Sequence, residues 1–404
     1  MLARYNNKCR CHAANTKFSR LLNAIIYGGT HMQINQERVL SRLIEMIQID
    51  SVSYQEGPMT DYLQNYFEQL GYEVYRDEAG KAIGGDHAGN LVIHIPGTME
   101  GESICINAHQ DTVEPGIGIK PVFENGILKS SGDTILAADD KSGIAMMMEL
   151  LDLLKETGTP HRDLYFLFTI CEENGMHGAK NFDYSKLPTK NIFALDGAGN
   201  LGNMLKSGAG KDALKITFHG KMAHGGIEPE KGVNAINAAA SAISRVKFGR
   251  IDPETTSNIG RIEGGGATNI VTDEVTFTCE VRSHTQEQIR EQVDLIVAAC
   301  HAAAEEFGAT VDIEIDHFCP PQKPNPDGFL AKATYQSLVK EGYTPQFIIS
   351  NGSGDANIFS GHGYDCSGIS TGMFDVHTTN EYLDMEIFQK AFNVVWHIMT
   401  EQFE

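Results

Sequence analysis

The sequence predicts an α/β protein that carries an inserted α+β segment. Three observations predict it. Apolar strands alternate with helical patterns over the first half of the chain, which favours a largely parallel sheet flanked by helices. Near Ser207 the order changes to β-α-β-β-α-β, the ferredoxin-like succession. The run Pro320-Pro321-Gln322-Lys323-Pro324-Asn325-Pro326 then reads as a linker back to alternating helix and strand. The expected division is a leader at 1–31, a first part of the larger domain at 32–206, the insert at 207–319 and the second part at 320–404.

The elements follow in order. Val39, Leu40, Leu43, Ile44 and Ile47 recur at helical spacing from Asn35 onward. A second helix is expected from about Met59 to Leu70, stopped by Gly71. Strands are expected near 73–76, 91–95 and 103–108, and a turn-rich stretch from Glu114 to Thr134. A helix follows Ala137-Ala138-Asp139-Asp140-Lys141-Ser142-Gly143, with a Met-rich face read as core. The unbroken apolar run 164–170 fits a strand covered on both faces, and the strand 191–195 delivers Asp196. In the insert, strands are expected near 213–219, 256–262, 271–282 and 310–316, with helices near 232–246 and 286–307. Beyond the linker come a helix near 329–340, a Gly-rich turn at Ser350–Asp355, a strand near 366–370 and a last helix. The turn lacks the Lys-Ser/Thr ending of a phosphate loop.

Composition narrows the function. The 404 residues carry 32 basic and 53 acidic side chains, a net charge of −21 at pH 7. That balance argues against a nucleic-acid partner and against docking on an anionic membrane. No apolar run approaches the ~20 residues that span a bilayer. The eight cysteines are scattered, which fits reduced, buried thiols in a cytoplasmic protein. Cys9-Arg10-Cys11-His12 is half a zinc knuckle without its second half. The first 31 residues are basic and hold no acid, so they read as a disordered or non-native leader ahead of a start at Met32, with organelle targeting as the lesser reading.

Chemistry-bearing residues recur just past the apolar strands, where functional groups gather in open α/β sheets. His109 and Asp111 follow the strand at 103–106 and share a face by the period of two. Asp139, Glu172, Glu173, Asp196 and His377 lie past later segments. Any one acid is ordinarily a solvated charge; their joint position is what carries weight. Two divalent ions held close together need a bridging carboxylate and His or carboxylate ends. His109, Asp139, Glu173, Asp196 and His377 supply such a set, and oxygen and nitrogen donors suit zinc, with cobalt or manganese as alternatives. Glu172 and Glu173 diverge as neighbours, so one can bind metal while the other stays free as a general base.

The motifs AHQDTV, LAADDKSG, CEENG, ALDGAG, FHGKMAHGGIEPEKGVNAI, GGGATNIV, CEVR and DVHTTNE, in this order from about Gln33 to the end, resemble those of the dinuclear zinc exopeptidase and deacylase family, in particular its peptidase T-like branch. The resemblance implies a zinc-exopeptidase-like catalytic domain with a ferredoxin-like lid and dimerisation domain. It implies one zinc on His109, Asp139 and Asp196 and another on Asp139, Glu173 and His377, with Asp139 bridging. Asp111 would orient His109, and Glu172 would be the catalytic base. The Asp139–Asp140 peptide is expected cis. His224 would reach the substrate carbonyl, often from the opposite subunit; Asn269 would lie near the substrate, and Arg282 would bind a substrate carboxylate. The chain departs from the family at Asn351-Gly352-Ser353-Gly354-Asp355, where an Arg is often found nearby.

The expected activity is a cytoplasmic, homodimeric, metal-dependent aminopeptidase for short peptides. An N-acyl amino acid deacylase is the sibling alternative. A non-catalytic metal- or peptide-binding module and a thiol hydrolase using Cys171 are the alternatives from other classes.

Overall fold

The structure is a computed structural model, and residues 31–403 are described. The expected leader therefore falls outside the described residues, apart from His31. Helix α1 (Gln36–Ile47) is capped by Asn35, whose side chain accepts from the Arg38 N–H. It is followed by α2 (Gly57–Gln69), β1 (Val74–Arg76), β2 (Leu91–Ile95) and β3 (Ile104–His109). The stretch expected to be turn-rich holds a hairpin of β4 (Pro121–Glu124) and β5 (Ile127–Ser130). Its turn, Asn125-Gly126, has both residues at positive φ, the usual chemistry of a two-residue hairpin.

Helix α3 (Ala138–Thr157) is buried on nearly every side, as expected of a helix apolar all round. β6 (Leu164–Thr169) and β7 (Asn191–Ala198) complete the first part. β6 packs Phe166 and Phe168 against Phe67 of α2, with ring centroids 6.0 and 5.6 Å apart. Then come β8 (Asn203–Gly208) and the insert: β9 (Gly210–His219), α4 (Ala235–Arg245), β10 (Gly249–Arg250), β11 (Thr256–Gly264), β12 (Glu274–Ser283), α5 (Gln286–Phe307) and β13 (Thr310–Cys319). The last part holds α6 (Phe329–Lys340), β14 (Gln346–Ser350), α7 (Asp355–Gly361), β15 (Asp365–Phe374), β16 (Tyr382–Asp384) and α8 (Met385–Thr400).

Among the described residues, nine strands form the main sheet in the order β1-β2-β6-β3-β7-β15-β16-β5-β4. The parallel arrangement is concentrated in the four central strands, β6, β3, β7 and β15; every flanking pair is antiparallel. The reason lies in the connections. Helices return the chain to the parallel strands, whereas at the edges a tight hairpin, β4–β5, and pairings between strands far apart in the chain, β2–β6 and β16–β5, run antiparallel. One apolar cluster fills the face under α1, α2, α3, α6 and α8, and a second lies on the opposite face around Phe182, Ile192 and Phe359.

The insert has its own sheet, β10-β11-β12-β9-β13, with α4 and α5 packed on one face over its own apolar core. β12 alternates buried and open residues along its length, the pattern of a sheet covered on one side. Two strands, β8 and β14, pair in parallel apart from both sheets. Where the chain enters and leaves the insert, Asn357 ties both passes together, its Nδ2 donating to the carbonyls of Ala209 (3.0 Å) and Pro320 (2.8 Å). Among the described residues no helix is long and apolar enough to cross a membrane.

Candidate metal centre

The four parallel strands all end at one rim. β3 brings His109 there, β6 runs into Cys171-Glu172-Glu173, β7 brings Asp196, and the segment after β15 brings His377. Asp139 joins them from the start of α3, where the Asp139–Asp140 peptide is cis.

Five of the expected ligands converge. His109 Nε2 lies 3.0 Å from Asp139 Oδ1 and 3.6 Å from Asp196 Oδ1. His377 Nε2 lies 3.3 Å from Asp139 Oδ2 and 2.9 Å from Glu173 Oε1. Asp139 thus turns one carboxylate oxygen to each histidine, the arrangement a shared ligand requires. Asp111, Asp140, Glu172 and Asp355 add further acids around the rim. No lysine or arginine pairs with any of these acids among the described residues.

The surplus of negative charge sets the protonation of the site. Burial pulls the His109 imidazole down, yet bonds to Asp111, Asp139 and Asp196 outweigh it and hold the pKa well above its ordinary value. His377, half exposed, is raised to about 10 by Asp139 and Glu173. Burial also pushes up Asp139, but His109 and His377 reverse this and hold it below the usual carboxylate range. Asp196 is pushed up to about 7 by burial and by the charge of Asp139. Glu172 stands well above its ordinary value, through burial first and then Asp196. A crowded set of carboxylates with imidazole at both ends and no basic partner fits a cation pair, and its oxygen and nitrogen donors fit zinc-like ions.

The segments that present His109, Asp139 and Glu172-Glu173 are held by buried acids. Glu381 is 1% exposed, and its carboxylate accepts the N–H groups of Leu136 (2.8 Å), Ala137 (2.9 Å) and Asp139 (3.0 Å). Asp140 accepts from His109 N and Gly143 N. After β6, Glu56 accepts the Cys171 N–H, and Asp111 accepts those of Glu172 (2.9 Å) and Glu173 (3.2 Å). Ser53 donates to Asp111 as well. Sequence reasoning missed Glu56, Asp140 and Glu381 in this role. Asp140 and Glu381 stood inside two of the motifs, but a motif does not say which acid faces the backbone.

Asp111 meets His109 through its main chain as well as through its carboxylate. His109 Nδ1 is 3.0 Å from the main-chain carbonyl of Asp111 and 3.4 Å from its carboxylate. The same carboxylate also holds the turn after β6.

The three expected substrate residues are not brought to the cluster. His224 and Asn269 sit together on the lid, where the Asn269 carbonyl accepts the Gly225 N–H at 2.7 Å. His224 is exposed and bonds only locally, to the Gly226 N–H. Arg282 pairs with Glu280 at 2.9 Å and donates to the Asn351 carbonyl at 2.9 Å, so it joins the lid to the Gly-rich turn. Cys171 is buried, and burial pushes its thiol well up, which opposes a thiolate nucleophile.

Residues 209–308 match a family model described as a peptidase dimerisation domain, and residues 90–226 match one described as peptidase family M28. An uncharacterised protein, YqjE of Bacillus subtilis, is 39% identical over 368 residues, 91% of this chain and 99% of that one. The crystal structure of aminopeptidase PepT from Bacillus cereus is 38% identical with a TM-score of 0.85, covering 91% of this chain and 98% of that one. A tripeptidase from Staphylococcus aureus is 35% identical with a TM-score of 0.87, covering 91% and 99%.

Proposed function

The chain belongs to the peptidase T-like branch of the M20 metallopeptidase family, and from that premise we propose how its residues carry out a tripeptide aminopeptidase-like hydrolysis. The supporting observation is the pair of contacts made by Asp139, one oxygen to each histidine. His109, Asp139 and Asp196 would hold one divalent ion, and Asp139, Glu173 and His377 a second; zinc suits the donors best. When bound, the ions lower the pKa of a water and polarise the scissile carbonyl.

Glu172 is the base in this reading. It has no part in the ligand set, and it sits beside Asp196 under the Gly-rich turn, with Gly354 against both side chains. Its carboxylate takes a proton from the attacking water and returns one to the leaving amine, so the side chain ends as it began. Asp111 holds the backbone on which Glu172 stands, which keeps the carboxylate aimed while charge moves.

His224 and Asn269, exposed on the lid and remote in contact from the cluster, suit delivery to the site of a partner subunit, and the dimerisation-domain match supports a homodimer. A carbonyl-directed imidazole would stabilise the developing oxyanion. Arg282 is proposed for the carboxylate end of the peptide, in exchange for its bond to Asn351. The six described cysteines are free and buried, which supports a cytoplasmic setting. Acyl-amino-acid deacylation has less support, since both solved relatives above are described as acting on peptides.

The test joins metal analysis to turnover of di-, tri- and tetrapeptides and of acyl amino acids. The reading expects two ions per subunit and preferred hydrolysis of tripeptides at the first bond. Metal-loaded protein that hydrolyses none of the peptides overturns it.

A further inference from the structure

We propose that the recess beneath the Gly-rich turn is a subsite that takes an uncharged side chain of the substrate and turns acidic ones away. This rests on the peptidase reading above.

The recess follows from the sheet register. Side chains two apart on a strand share a face. His109 and Asp196 face the metal centre, so Asn107 and Ala194 lie one step below them on the same face. Asn107 pairs with Ala194, and Ala194 pairs with Gly368 on β15. This row is therefore an amide, a methyl and a hydrogen. The side chains on either side of Ala194, Phe193 and Leu195, belong to the apolar cluster of the other face and are fully buried, whereas Ala194 is not. Small residues directly below the ligand row leave a cavity of about 410 Å³, within the range of about 300–1,000 Å³ usual for small-ligand sites.

Its walls define what fits. Asp196 stands at one end, beside the catalytic centre, and the recess extends to Leu205 of β8 and Ile348 of β14. Asn200, Asn203 and Gln322 add amides. The lining includes Asp196 and Asp355 and no lysine, arginine or histidine. Asp355 is 3% exposed, so its charge is poorly screened by water. Asp196 being taken up by the proposed ion, a carboxylate entering here would meet the buried Asp355 and no basic side chain. An aliphatic, aromatic or amide side chain would meet matching surfaces. The recess opens next to Glu172 and Asp196, since Gly354 lies against both, so the side chain it holds belongs to a residue flanking the scissile bond.

The experiment compares isosteric Glu and Gln at the first and second positions of a tripeptide, with Ala-Ala-Ala as the reference. At one of the two positions the Glu peptide should show a kcat/KM roughly tenfold or more below the Gln peptide, as like charges in a desolvated site demand. Ile348 is 38% exposed on the outer wall and can carry a longer side chain. Ile348→Lys should narrow the Gln-to-Glu ratio at that same position and leave it unchanged at the other. Leu205→Trp should lower kcat/KM for Leu and Phe relative to Ala at that position. If Ala-Ala-Ala is hydrolysed but the Gln-to-Glu ratio is near one at both positions, the subsite is overturned while the peptidase reading stands. The subsite is likewise overturned if Ile348→Lys leaves both ratios unchanged. Failure of the wild type on every peptide overturns both.

Discussion

The carboxylate of Asp111 accepts the backbone N–H of Glu172 at 2.9 Å, and Asp111 is itself fully buried. The proposed base is therefore held by its main chain, and its side chain is left free for proton transfer. Glu172→Gln keeps the size and the backbone bond but removes the base. It should lower kcat by a factor on the order of 10² to 10⁴. Metal content, read by mass spectrometry, should not change. Cys171→Ser should retain most activity, and a reversed pattern between the two variants would restore the thiol alternative.

Asp111→Asn removes one acceptor from the turn after β6 and faces an amide N–H toward a backbone N–H. Partners one step behind a metal site typically cost about 10–100-fold in affinity or activity when changed. A loss in that range is expected in kcat/KM, in zinc affinity, or in both. Calorimetric zinc titration beside steady-state kinetics would measure it, and wild-type values in both would remove Asp111 from the argument.

Glu381 closes three buried N–H groups at the approach to Asp139. Glu381→Ala leaves them unpaired, at a cost of about 1–3 kcal/mol for a buried polar group without its partner. The variant should unfold at lower urea and bind metal more weakly. An unchanged urea midpoint with unchanged zinc affinity would contradict the clamp.

Chelation offers a separate check. Removing the ions should abolish peptide hydrolysis and lower the melting temperature, because a ligand that binds only the folded state stabilises it by about 2.7 kcal/mol at a hundredfold excess over Kd. Zinc should restore both properties. Full activity in exhaustively chelated protein would contradict the metal-dependent mechanism.

Far from the site, His397 lies 3.0 Å from Glu341 and 2.8 Å from Glu401, with Lys340 and His31 beside the group. Burial lowers the His397 pKa, but its two acids outweigh this and raise it. Glu401 is held down to about 2, chiefly by His397. A raised histidine stabilises fully below its unfolded value of about 6.5 and loses that contribution as pH rises through the folded value. The depressed Glu401 contributes above about 4.5 and loses its share as pH falls toward 2. Thermal melts of His397→Gln should therefore fall less than wild type as pH rises above 6.5. Parallel curves for the two proteins would rule the effect out.

Much of the fold was legible because its strands are strongly patterned. The run at 164–170 and the alternation of β12 each announce their surroundings, and the insert's order could be read from element succession. The hairpin at 121–130 and the β8–β14 pair were missed, since short strands at an edge carry little apolar signal. Gln346–Ser350 is largely exposed despite Phe347, Ile348 and Ile349, so nothing in its pattern points to a sheet face. The convergence of His109, Glu173, Asp196 and His377 was legible because each follows a strand, whereas Asp139 stands at the start of α3. The backbone-holding roles of Glu56, Asp140 and Glu381 were not, because such a role depends on which N–H groups the fold brings near, and no spacing encodes that. The recess was hidden for a similar reason: it is defined by the absence of side-chain bulk at Ala194 and Gly368, on strands separated by most of the chain.

That separation also orders events in time. β15 lies beside β7 at the centre of the sheet, yet the lid and 166 residues stand between Ala198 and Asp365. A growing polypeptide that has emerged as far as the lid already owns His109, Asp139, Glu173 and Asp196, but it has neither the strand that braces Asp196 nor the imidazole opposite Glu173. Hydrolytic competence therefore cannot precede completion of the middle of the sheet, and a half-made chain carries an acidic rim without the means to cut peptides.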